Sequence, residues 1–316
     1  MSDENDRLSN EVSAVVKVEG SGLSLSAKSR ALSAFDRFIG SLFDIPTSKL
    51  EGAAERIRER NKRKMAEIRG ASGLSVIEAM AISQVQLEGI QAQENKKAVA
   101  DQALEDLITG KQAVETSETV SDEWISFFEI FARNASTERL RMLWGKVLSG
   151  EIKNPGQFST STIRLLSEID FRIASLFQEH TTFRIADRFL IRPKNLKGQL
   201  AEDYMFLEEA GLLNGVSSAT AWQINRSPEG LFFFREGEYV LTIAAIDDRQ
   251  LLDLGVIPIT RAGRQIASIF PLISEIPALH KLADYFADEA KSIEINRVLS
   301  EPNERQITMT IIEKIK

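Results

Sequence analysis

Apolar residues in this chain recur mostly at three- and four-residue steps, the spacing of one helix face. A two-residue alternation appears only in the last third. From Ser29 the apolar set is Leu32, Phe35, Phe38, Ile39, Leu42 and Phe43, with Ser33, Asp36, Arg37 and Ser41 on the opposite face. So sharply divided a helix needs something to lie on. The protein's own core is the first expectation. The alternative is a membrane surface or a partner, met by Leu32, Phe35, Phe38, Ile39 and Leu42. Pro46 ends the segment, and SKLE from Ser48 is a capping-box pattern opening a second helix that runs to about Arg69. Between Gly70 and Gly73 the periodicity breaks. Residues 75–108 then read as one long helix, or as two meeting near Gln93 to Lys97, because the middle, QAQENKKA, is polar all round. Few contacts are expected of that middle. Residues 110–120 read as a connector.

From Ser121 a new helix begins, with Asp122 and Glu123 in its first turn, where the helix dipole favours negative charge. Trp124, Phe127, Phe128 and Phe131 form its apolar face. A second helix follows from Ser136 or Thr137 through Leu140, Leu143, Trp144, Val147 and Leu148, with Gly150 as its expected stop. Pro155-Gly156 specifies a turn, since proline fixes one torsion and glycine permits a positive one. Phe158 is placed as a hydrophobic staple, and Ser159 or Ser161 as the cap of the next helix. Trp124, Trp144, Gly150, Pro155, Gly156, Phe158 and Ser159 therefore all have structural readings. Glu151 lies beside the turn without one, and loop amides or a nearby Arg are its expected partners.

This segment resembles a bacterial family of unknown function. The resemblance rests on Asp122 to Trp124, Phe127-Phe128, LW-x-K-x-L-x-GE over Leu143 to Glu151, and PG-x-FS over Pro155 to Ser159. It covers roughly residues 121–180. That family is distantly similar to abortive-infection alpha proteins, which implies a phage-defence setting but no catalytic residues.

Past His180 the texture changes. A helix over Leu200 to Ala210 stops at Gly211, and TAWQINR, GLFFFRE and EYVLTIAAI read as short strands. Thr260 caps a short helix; another covers Ala278 to Lys291. SEPNER reads as a loop before a final strand, QITMTIIEKI. Helix, LEEAGLL, a hairpin over Leu231 to Ile246 and VIPITRAG together look winged-helix-like. Glu202, Asp203, Glu208 and Glu209 make the helix acidic, which argues against DNA reading. The expected fold is mainly α with a small antiparallel β part. It comprises a flexible arm over 1–22, long helices over 23–120, a helical corner over 121–180 and a winged-helix-like α+β region over 181–316.

With 43% hydrophobic and 27% charged residues, the chain of 316 can bury a sizeable core. A net charge of -7 argues against bulk attraction to nucleic acid or acidic lipid. One local exception is Arg56, Arg58, Arg60, Lys62, Arg63 and Lys64, a basic run that could follow phosphates. No aromatic is interleaved there, so a solvated helix face is the favoured reading. The chain has no cysteine, which removes thiolate chemistry and fits a cytoplasmic protein. Its two histidines, His180 and His280, lie far apart, and Gly20 opens no phosphate loop. Asp170 is expected to cap a helix. No catalytic, metal or cofactor residue is assigned, and no transmembrane segment. The expected function is a non-catalytic interaction or regulatory protein with a protein partner or copies of itself. A nucleic-acid or membrane-surface effector is the alternative.

Overall fold

A computed structural model describes residues 24–39, 59, 76–109, 118–270, 275–303 and 306–316. The chain divides into two compact units, Met1–Ile163 and Arg164–Lys316. The first is mainly helical and the second is α+β, so the expected fold class holds. The expected arm, the capping box at Ser48 and the basic run Arg56 to Lys64 lie outside the described residues.

In the first unit, α1 (Leu25–Ile39) buries Ala27, Ala31, Ala34, Phe35 and Phe38, a stripe at helical spacing. The Phe38 ring lies 5.4 Å from that of Phe128. Phe35 and Phe38 thus serve the protein's own core, and two of the five residues offered as a membrane or partner face are withdrawn from solvent. Leu32 is half-buried, the Ile39 side chain is not described, and Leu42 lies outside the described residues. Residues Val76–Thr109 form a single helix, α2, about 51 Å long at 1.5 Å per residue. Helices α3 (Asp122–Ala132) and α4 (Glu138–Lys153) follow, capped by the Ser121 and Thr137 hydroxyls as the sequence predicts. Trp124 stacks on Phe128 at 4.9 Å, and Trp144 stacks on Phe131 at 5.5 Å. Helix α2 packs along α4.

Helix α5 (Thr160–Glu168) contains the division between the units, and α6 (Phe171–Thr181) follows with Asp170 as its cap. Next come β1 (Phe189–Ile191), α7 (Gln199–Glu209) and β2 (Ala221–Asn225). After them stand β3 (Phe232–Glu236), β4 (Tyr239–Ala245) and β5 (Leu251–Pro258), then α8 (Arg261–Ala267) and α9 (Ile276–Phe286). The chain closes with β6 (Ala290–Asn303) and β7 (Gln306–Lys314). Two antiparallel sheets result, β1-β5-β2 and β3-β4-β6-β7. Strand β5 turns Leu252, Leu254 and Val256 inward at alternate positions, and α9 adds Leu279, Leu282 and Phe286 to the same core.

One expectation holds here and two change. The hairpin Leu231 to Ile246 exists, but β4 pairs with β6 on its other side and Phe234, Leu241 and Ile243 are core residues. Strand β4 is thus an interior strand of the sheet, and β3 forms its outer edge. The helix expected to reach Lys291 ends at Phe286. The SEPNER loop is mostly strand, because β6 continues to Asn303 with Ser300 opposite Thr308.

Candidate functional site

At the motif corner, α4 does not stop at Gly150; it runs to Lys153. Gly150 is needed for close approach, since a Cβ there would lie 2.8 Å from Cε2 of the Phe158 ring. Glu151 therefore sits in the last helical turn, 2% exposed. Its Oε1 accepts the Gly156 amide at 2.6 Å and its Oε2 accepts the Phe158 amide at 2.9 Å. Burial raises its pKa, and the two amide bonds oppose that shift. Gly156 takes φ +85°, the left-handed region that favours glycine. The Trp124 indole donates to the Phe158 carbonyl at 2.7 Å, and the Ser159 hydroxyl accepts the Thr162 amide at 3.2 Å. Trp144 is 3% exposed. Trp124, Glu151 and Phe158 are thus buried and tied to one another through the turn.

The polar middle of α2 is not bare of contacts, contrary to expectation. Asn95 and Lys96 are 2% and 6% exposed. Asn95 donates to the Arg133 carbonyl at 2.9 Å and accepts from Arg141 at 2.8 Å. Lys96 pairs with Glu129 at 2.5 Å, its ammonium 5.3 Å from the Phe38 ring centroid. Further along, Asp106 pairs with Lys153 at 2.6 Å and accepts the Ser149 hydroxyl at 2.6 Å. Burial pushes the Asp106 carboxyl up, but Lys153 and Ser149 outweigh it and hold it below the usual range. Sequence periodicity misses this lock because it scores these residues as solvent-facing.

The second unit holds a cleft of about 460 Å³ between α6, α7 and α9. Phe183, Ile191, Pro193 and Leu200 supply apolar wall, and Tyr204 and Tyr285 aromatic wall. Lys194 is paired with Glu289 at 2.9 Å, and its ammonium lies 5.0 Å from the Tyr285 ring centroid. The Tyr285 hydroxyl accepts the Gly255 amide at 3.0 Å. Burial pushes the Tyr204 phenol up to about 12, helped by Asp203. His180 packs edge-on against Tyr204, with centroids 4.8 Å apart. Its Nε2 is buried without a hydrogen-bond partner, and burial lowers its pKa, so it stands as a neutral ring. Lys281 lies over the Phe183 ring at 3.4 Å from the centroid, and burial lowers its pKa despite Glu179. None of these side chains was singled out from the sequence as a site, because they are scattered over residues 179–288.

A smaller cavity of about 150 Å³ collects Arg184, Asp187, Glu236 and Glu275. Burial pushes Glu236 up to about 7; the Ala186 amide, donating at 2.7 Å, works against this, and Asp187 and Glu275 add to it. Ala186 and Asp187 both take positive φ, at 48° and 50°. His280, the other histidine, pairs with Glu313 at 3.0 Å on the surface. Among the described residues no group of three or more acidic, histidine or cysteine side chains could hold a metal ion. No described helix is long and apolar enough to cross a membrane.

Residues 80–188 match the model of a family described as "Protein of unknown function (DUF2806)". The match contains the whole motif corner and extends back through most of α2, the helix that packs along it. An uncharacterised domain family is thus present over this segment. No curated protein and no solved structure matches the chain.

Proposed function

We propose that this protein is a non-catalytic, cytoplasmic interaction and regulatory protein, working through a protein partner or copies of itself in bacterial phage defence. The defence setting rests on the motif's distant resemblance alone. The interaction role rests on the open edge of the four-stranded sheet. Among the described residues, strand β7 pairs only with β6. Ile311 and Ile312 in it, Ile315 just after it and Leu299 on β6 are all exposed. Proteins normally blunt such edges with charge, proline or a covering element, because unpaired amides and carbonyls recruit another strand. An apolar edge left open suits strand addition by a second chain. The second unit then serves as a winged-helix-like interaction module rather than a DNA reader, in keeping with its acidic α7.

Light scattering after gel filtration tests the role. The full chain is expected as a dimer or with a co-purifying partner, and Ile311→Lys with Ile312→Lys is expected to release it. A wild-type chain that stays monomeric and retains no protein overturns the proposal. The alternative, binding to nucleic acid or a membrane surface, is supported by the basic run Arg56, Arg58, Arg60, Lys62, Arg63 and Lys64. It requires binding that weakens steeply with salt and vanishes when the six become Ala.

A further inference from the structure

We infer that the cleft between α6, α7 and α9 binds a small zwitterion with an apolar body, of which an α-amino acid with an aromatic or branched side chain is the simplest. A cleft of about 460 Å³ falls within the range that encloses a small molecule. Its apolar wall, Phe183, Ile191, Pro193 and Leu200, requires an apolar ligand body.

The polar groups define the rest of the ligand. Lys281 and Asp284 line the cleft from α9, at positions i and i+3 on one helix face, and Asp288 lines it from the turn that follows the helix. Lysine and aspartate three apart on a helix can ordinarily pair. Here they do not: the Lys281 ammonium is held over the Phe183 ring, 3.4 Å from its centroid. Asp284 and Asp288 make no side-chain ion pair among the described residues. Exposed carboxylates by themselves need no ligand. What sets these apart is a lysine within reach in sequence, kept separate over an aromatic ring on the same wall. Apart from the paired Lys194, the lining thus carries one cation, Lys281, and three carboxylates, Glu179, Asp284 and Asp288, none of which closes an ion pair with it among the described residues, although Glu179 favours its charged form.

Charge balance then separates ligand classes. Lys194 is already matched by Glu289, and His180 is neutral. Glu179, Asp284 and Asp288 outnumber Lys281 on the lining. A polyanion such as a nucleotide would be repelled. A lone carboxylate would satisfy Lys281 but face the acidic side chains, and a lone amine would leave Lys281 unmatched. A zwitterion supplies the carboxylate for Lys281 and the ammonium for Asp284 and Asp288, while its side chain covers the apolar wall. This inference is independent of the β7 edge.

Calorimetric titration of the full chain with L-phenylalanine, L-leucine, 3-phenylpropionate, phenethylamine and adenosine monophosphate tests it. At least one of the two amino acids is expected to saturate, with each single-charge analogue about tenfold weaker or more and the nucleotide silent. Lys281→Met is expected to erase the advantage of the amino acid over phenethylamine. Asp284→Asn with Asp288→Asn is expected to erase its advantage over 3-phenylpropionate. Because the two variants alter different positions, a folding defect in one leaves the other informative, and unliganded melting curves identify such a defect. The inference is overturned if neither amino acid binds saturably up to about 10 mM. It is equally overturned if a single-charge analogue or the nucleotide binds more tightly, or if the folded variants keep wild-type selectivity.

Discussion

Glu151 shows how a buried charge becomes a structural part. Its two oxygens each take one amide of the turn, Gly156 and Phe158. Removing the carboxylate strands the buried Phe158 amide and the part-buried Gly156 amide, and a lost buried partner costs about 1–3 kcal/mol. Glu151→Ala is therefore expected to lower unfolding free energy by about 2–3 kcal/mol in urea denaturation, near the top of that range because two amides are involved. A change below about 0.5 kcal/mol would mean that the turn holds itself closed. Glu236 behaves differently, because its position affects titration. Its pKa is about 7 in the folded protein against an ordinary 4.5. The folded state holds the proton more tightly, so this group's stabilisation is complete below about pH 4 and is lost as pH rises through about 7. Glu236→Gln keeps a carbonyl for the Ala186 amide and removes the titration. Its melting temperature should exceed wild type by a few degrees at pH 8 and match it near pH 4. Parallel melting profiles for the two proteins from pH 4 to 8 would show that Glu236 does not titrate in that window.

At the scale of elements, α2 and α4 approach so closely that one glycine decides the spacing. A Cβ on Gly145 would lie 2.6 Å from the Gln102 Cβ and 3.1 Å from the Ala103 nitrogen, atoms fixed to a helix backbone. Gly89, on the same α2, has nothing within 4 Å. Opposite signs follow for one chemical change. Gly145→Ala should destabilise by about 1–3 kcal/mol through overpacking, and Gly89→Ala should stabilise by about 0.5–1 kcal/mol through helix propensity. Paired denaturation curves check this, and equal signs would refute the helix contact. The sequence made most helices legible through apolar spacing and their hydroxyl caps, as at Ser121, Thr137 and Thr260. It hid the burial of Asn95 and Lys96, because polar residues matched by a distant chain segment look like solvent-facing ones. It also hid most of β6, although Ile293 and Ile295 alternate with polar neighbours, because the run begins directly after a helix and ends in turn-like residues. The Gly150 reading failed because glycine serves close approach as well as helix termination.

For the whole molecule, the division at Ile163/Arg164 raises the question of which part carries its own stability. A continuous core of the second unit, from Ile185 through Phe232, Leu254 and Phe286 to Ile295, lies entirely beyond the division. Both sheets and α9 contribute to it, so no strand of either sheet depends on residues before 164 for its hydrogen-bonded neighbours. A domain with its own core can fold alone. A fragment Ser159–Lys316, which keeps the cap of α5, is therefore expected to unfold in one cooperative step in urea, with near-ultraviolet dichroism from Trp222 and the tyrosines lost in the same transition as the helical signal. It should also retain the pH profile set by Glu236, since Ala186, Asp187 and Glu275 travel with it. Two non-coincident transitions, or a fragment with secondary structure but no near-ultraviolet signal, would show that this core depends on the preceding residues. Coincident loss with an altered pH profile would instead isolate the change to the Glu236 cavity and leave the autonomy of the unit intact.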